Sequence, residues 1–73
     1  DCDDMVVLLG TLLESVGHKC RAVAMSWNGD DCYEHVTLET RCGNQWINLD
    51  PTEPVEPGFW PDPPPTQVMR VFF

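Results

Sequence analysis

Positive charge is scarce in this chain. Its 73 residues carry four Lys and Arg against twelve Asp and Glu, a net charge of −8. The four cations, Lys19, Arg21, Arg41 and Arg70, are scattered. Phosphate binding needs clustered basic side chains, so nucleic acid and anionic membrane surfaces are excluded as partners. The sequence also lacks any apolar run near the ~20 residues that a membrane-spanning helix requires. It contains no C-x₂₋₄-C element of the kind found in most zinc sites. His18 near Cys20, and Cys32 near His35, come closest to a ligand set, and we expect no metal and no cofactor. The four cysteines at 2, 20, 32 and 42 admit a disulfide framework. The alternative, which we expect, is reduced thiols with one working cysteine. Length is short as well. A single core of this size rarely supplies more than ~3–5 kcal/mol, and seven prolines and five glycines thin that margin. The chain opens one residue before an apolar run, and we expect an upstream portion of a longer polypeptide to contribute packing.

What is present begins with that run. Met5, Leu8, Leu9, Leu12, Leu13 and Val16 recur at i, i+3, i+4, i+7, i+8 and i+11, the spacing of one helical face. Asp1 reads as the N-cap, Asp3 and Asp4 as first-turn acids, and Gly17 as the stop. Cys2 then lies in the first turn, where free backbone N–H groups and the positive dipole end favour a thiolate. The carboxylates of Asp3 and Asp4 oppose it, and a small buried hydrophobe is the plainer role for a cysteine.

Beyond Gly17, the stretch 19–27 alternates small residues (Cys20, Ala22, Ala24, Ser26) with larger ones (Arg21, Val23, Met25, Trp27). This predicts a strand whose small-residue face lies under the helix. Asn28-Gly29-Asp30-Asp31 predicts a turn, residues 32–40 a second strand, Gly43-Asn44 a second turn, and residues 45–50 a third strand halted by Pro51. The expected fold is α+β: an N-terminal helix packed on a three-stranded antiparallel meander. We divide the chain into a core over 1–52 and a Pro-rich extension over 53–73. All seven prolines lie between 51 and 65, which predicts an extended path, partly polyproline II. Phe59 and Trp60 predict that this path lies against the domain. The apolar end, residues 68–73, reads as a short edge strand or a docking segment.

Strand parity sorts the chemistry. Tyr33, His35, Thr37 and Glu39 share one face, and so do Trp46, Asn48 and Asp50. With Cys42 opposite Gln45, residue 37 pairs with residue 50, and His35 sits diagonally from Asp50, roughly 7–8 Å away between backbones. A cysteine at a helix N-terminus, a histidine and an aspartate in this order can act as nucleophile, base and orienter. The reading predicts the Cys2 sulfur within about 4 Å of a His35 nitrogen. The Cys2 backbone N–H would face a tetrahedral oxyanion, a contribution of about 2.7–4 kcal/mol; a second donor is not evident. Asp1, Asp3, Tyr33 and Trp46 are the expected substrate and oxyanion surroundings.

The same segments resemble a known family. Asp1-Cys2-Asp3-Asp4 with Leu8-Leu9 and the run Leu12-Leu13-Glu14-Ser15-Val16-Gly17-His18-Lys19-Cys20-Arg21 resembles the cysteine helix and following strand of the transglutaminase-like superfamily. Glu34-His35-Val36-Thr37-Leu38-Glu39 is similar to its histidine strand, and Trp46-Ile47-Asn48-Leu49-Asp50-Pro51-Thr52 to its aspartate strand. The opening and the Leu-Leu-Glu-Ser-Val-Gly-His run most resemble small members encoded by tailed phages and prophages. Many members carry an aromatic two residues after the histidine, where Thr37 stands here.

The resemblance implies a papain-like core and acyl transfer from amides through a thioester, with Cys2, His35 and Asp50 as the triad. Hydrolysis and transamidation share that acyl-enzyme, and sequence does not separate them. The expected partner is a protein or peptide substrate, and the expected location a bacterial host's cytoplasm or a virion. Two other readings stand beside it: an inactive structural or assembly protein that contacts other virion or assembly proteins, and a disulfide-stapled binding module.

Overall fold

A computed structural model of the chain describes residues 2–28 and 33–73. Helix α1 spans Cys2–Ser15, and four strands follow: β1 Cys20–Ser26, β2 His35–Cys42, β3 Gln45–Leu49 and β4 Gln67–Phe72. They form one antiparallel sheet in the order β3-β2-β1-β4. The expected three-stranded meander is therefore corrected to four strands. The apolar end of the chain returns after the prolines and pairs with β1, Arg21 opposite Phe72 and Ser26 opposite Gln67.

Gly17 ends the helix as expected. Its φ is +96°, its N–H donates to the Glu14 carbonyl, and the His18 N–H reaches back to the Leu13 carbonyl. This pair of bonds is a Schellman cap. Glu14 then accepts the Cys20 N–H at 2.7 Å, so β1 starts beside the end of α1 and runs back along it. Gly43, φ +62°, takes the first turn position between β2 and β3, where glycine suits a type II′ hairpin. The β2–β3 register runs from Cys42–Gln45 to Leu38–Leu49, as the parity argument requires. The expected N-cap Asp1 and most of the Asn28–Asp31 turn lie outside the described residues. The second strand starts at His35 rather than at Cys32, which also lies outside them.

One sheet face packs on α1. Its centre is Val6, Cys20 and Leu38, with Leu9, Leu13, Ala22, Val36 and Leu49 around it. The helix is turned relative to the expected face. Val6 and Gly10 are buried, while Met5, Leu8, Leu12 and Val16 are exposed, Leu12 by 56% and Val16 by 71%. Gly10 lies against Phe73, and a Cβ there would overlap its ring. The bare backbone of α1 is thus what the chain's last aromatic needs. Among the described residues, no helix is long and apolar enough to cross a membrane.

The opposite sheet face joins two fully buried apolar residues, Val23 and Met25, to a charged cluster. Glu39 is buried and receives Arg21 Nε at 2.6 Å and Arg70 Nε at 2.9 Å. The Arg21 guanidinium lies 4.0 Å from the Trp46 ring centre, and Trp46 meets Phe72 edge to face at 5.7 Å.

Candidate functional site

His35 opens β2 and Asp50 follows β3. Their side chains meet on the face turned away from α1, His35 Nε2 to Asp50 Oδ2 at 2.6 Å. The ladder residues Leu38–Leu49 extend by one step to set residue 37 against residue 50, and His35 is the diagonal neighbour whose ring spans that gap. The other carboxylate oxygen, Oδ1, accepts both the Thr52 N–H at 3.0 Å and the Thr52 hydroxyl at 2.8 Å. This Asx turn at Pro51 fixes the plane of the carboxylate before any ligand arrives. Burial alone would push the Asp50 carboxyl up. The hydrogen bonds from His35 and Thr52, with the histidine's charge, outweigh burial and hold it below the ordinary carboxylate value. With Nε2 turned to Asp50, Nδ1 is the ring nitrogen open to a second group.

Cys2 lies at the same end of the molecule. Helix α1 is about 21 Å long at 1.5 Å per residue, and β1 runs back beside it for about 23 Å. The first residue of α1 is therefore level with Met25, which pairs with His35. By helical periodicity Cys2 shares the inward side of α1 with Val6, Leu9 and Leu13. The helix that carries Cys2 packs on one sheet face, and His35 and Asp50 meet on the other. The thiol is half-buried and directed to Asp3 Oδ1 at 3.6 Å. Among the described residues the hydrogen-bond partner of the thiol is Asp3.

The remaining expected residues divide. Asp3 touches the thiol. Tyr33 is exposed just before β2. Trp46 stands at the far end of the site's own face, opposite Arg41, because parity specifies a face but not a position along it. Asp1 lies outside the described residues. Cys2, Cys20 and Cys42 are free thiols, and Cys20, under the helix, contacts the Thr40 hydroxyl at 3.6 Å. Among the described residues no group of three or more His, Cys, Asp or Glu is placed to hold a metal.

Sequence reasoning missed the cleft beside the pair. An open cleft of about 350 Å³ is lined by Trp27, His35, Asp50, Glu53, Val55, Phe59 and Pro61. Four of these come from the proline-rich segment 51–66, which crosses the sheet end as a strap. Trp27 was within reach of the parity argument, two residues beyond the Met25–His35 pair. The course of the strap had no signal in the prolines themselves. It is set by Asn48, whose amide donates to the Phe59 carbonyl at 2.8 Å and whose backbone carbonyl accepts from Gly58 at 2.7 Å. Comparison of the chain with family models, with curated proteins and with solved structures gave no match.

Proposed function

We propose that this protein performs cysteine-dependent acyl transfer on amide bonds, as its resemblance to the transglutaminase-like superfamily implies. The observation that carries the reading is the 2.6 Å contact between His35 Nε2 and Asp50 Oδ2, with the second carboxylate oxygen held by Thr52. A histidine so oriented keeps its Nε2 proton and offers Nδ1 as a base.

In the proposed reaction Nδ1 takes the Cys2 thiol proton, and the thiolate attacks the amide carbonyl carbon. The C–S bond forms and the carbonyl electrons move to oxygen, opposite the N–H groups of the first helical turn. Collapse of this intermediate breaks the C–N bond, and His35 gives its proton to the departing amine. Water, or a second amine, then attacks the thioester with His35 again as base. The acid or the new amide leaves, and the thiol is restored. Asp50 stabilises the imidazolium in each half and stays ionised.

Two observations favour a second reading, an assembly protein of the same fold that does no chemistry. The Cys2 thiol is directed to Asp3 rather than to His35, and Met5, Leu8, Leu12 and Val16 leave an apolar stripe in solvent.

Alkylation by iodoacetamide, mapped to each cysteine by peptide mass, separates the two. Exposed Cys42 is the internal reference. The enzyme reading expects Cys2 to react faster than Cys42 and to keep reacting at pH 6, with both properties lost in His35→Ala. Equal, slow labelling at both cysteines would favour the assembly protein.

A further inference from the structure

We infer that the cleft beside His35 is a pocket for one large apolar side chain, aromatic or branched aliphatic, of the amide substrate, and that Asn48 is the residue that positions its wall. The inference rests on the acyl-transfer reading and adds the substrate class to it.

The first ground is composition and size. Trp27, Val55, Phe59 and Pro61 supply apolar surface beside His35, Asp50 and Glu53. About 350 Å³ falls at the small end of the range for ligand pockets, which are mainly apolar with a few placed polar groups. That is room for one large side chain. Phe59 remains 45% exposed, so a ligand group seated against it removes further apolar surface from water at about 25 cal/mol per Å².

The second ground is that the walls are fixed in advance. Asn48 is buried and fully engaged: its side-chain oxygen accepts the Thr37 hydroxyl at 2.7 Å, its amide nitrogen holds the Phe59 carbonyl, and its backbone carbonyl holds Gly58. At the other end of the strap, Trp27 Nε1 donates to the Pro63 carbonyl at 2.8 Å, and the Ser26 carbonyl accepts both donors of Thr66, at 2.8 and 3.1 Å. Both aromatic walls are therefore tied by polar atoms while their rings border the cleft. Binding then costs little ordering of the protein.

Charge decides among occupants. Asp50 and Glu53 border the cleft and the chain carries −8, so an anionic side chain is repelled. A cation would meet Glu53, which is exposed and screened by solvent, and Asp50, whose oxygens are already held by His35 and Thr52. An apolar group meets matching surface on Trp27, Val55, Phe59 and Pro61.

The test uses the full chain with Cys2→Ala, so that binding is read without turnover. The N-acetyl amides of phenylalanine, leucine, lysine, aspartate and glycine are titrated while the Trp27 indole N–H resonance is followed. Phenylalanine and leucine amides should bind at least tenfold more tightly than the glycine amide, and the aspartate amide most weakly. Asn48→Ala and Phe59→Ala should each collapse the phenylalanine-to-glycine ratio toward unity. Val55→Trp, which fills the cleft from the strap, should do the same without removing a hydrogen bond. Tightest binding of the lysine amide, or one affinity for all five, overturns the inference. Because this readout needs no thiol chemistry, selective binding beside an unreactive Cys2 would sink the acyl-transfer reading and leave the pocket, whereas a reactive Cys2 without selectivity would do the reverse.

Discussion

Thr52 directs both its backbone N–H and its hydroxyl to a single oxygen of Asp50, and so leaves the other oxygen to His35. A carboxylate rotates freely about its last bond unless both oxygens are engaged. The Asp-Pro-Thr sequence is therefore part of the site's geometry and more than the end of a strand. Thr52→Val keeps the shape and removes one donor. A hydrogen bond to a charged group contributes about 1.5–3 kcal/mol, so the Cys2 alkylation rate should fall about tenfold, and the Asp50 carboxyl should titrate higher than in the parent. Carboxyl NMR and the alkylation rate, measured together, check both. A raised carboxyl with an unchanged rate would make Thr52 a turn former only.

Acid should unfold this protein through two carboxylates. Burial alone would raise Glu39, but Arg70 and Arg21 outweigh it and hold the group below its ordinary value; Asp50 behaves alike. Groups with lowered folded pKa values add stability that is complete above the unfolded values, about 3.9 for Asp and 4.3 for Glu. That stability disappears as pH falls through the folded values. Urea midpoints should be level from pH 7 to about 5 on this account, then drop steeply below about 4. Glu39→Gln should flatten the drop. Glu39→Ala should cost about 3 kcal/mol at pH 7, near the lower end for a broken buried pair, because Arg70 is 40% exposed and regains water.

The site was more legible than the layer beneath it. Alternation along 33–39 and 45–50, joined through Gly43-Asn44, sufficed to set His35 diagonal to Asp50, since a strand has only two faces and a tight hairpin has one register. The helix offered no such constraint. Positions 5 to 9, 12, 13 and 16 are all apolar, so several faces satisfy the helical period, and the one buried is the one that meets Cys20 and Leu38 of the sheet. The strap is similar. Prolines specify an extended chain, but its course follows from one buried asparagine that parity placed on the right face without revealing its partners.

Gly10 and Phe73 give a cycle with a definite sign. In an exposed helix Gly→Ala gains about 0.5–1 kcal/mol. Here the new methyl would overlap the Phe73 ring. That ring is the free end of a flexible side chain, so it should swing out rather than break the helix. Gly10→Ala alone should then be neutral or slightly destabilising, whereas in a Phe73→Ala background the same change should stabilise by about 0.5–1 kcal/mol. Denaturant unfolding of the four proteins measures the coupling. Equal effects in both backgrounds would mean that Phe73 does not rest on α1.

Val6 and Leu12 are both apolar helix residues, one buried at 1% and the other 56% exposed. Val6→Ala removes packing from the centre of the helix face and should cost about 2 kcal/mol, within the span of large-to-small core changes. Leu12→Gln changes a side chain that is more than half in water and should stay within about 0.5 kcal/mol. The comparison also tests what the stripe meets in solution. If Leu12→Gln costs as much as Val6→Ala and the parent's unfolding midpoint rises with protein concentration, the stripe is covered by another copy of the chain, because only self-association links stability to concentration in a pure sample. If the midpoint is independent of concentration and Leu12→Gln is silent, α1 is held by its inner face alone.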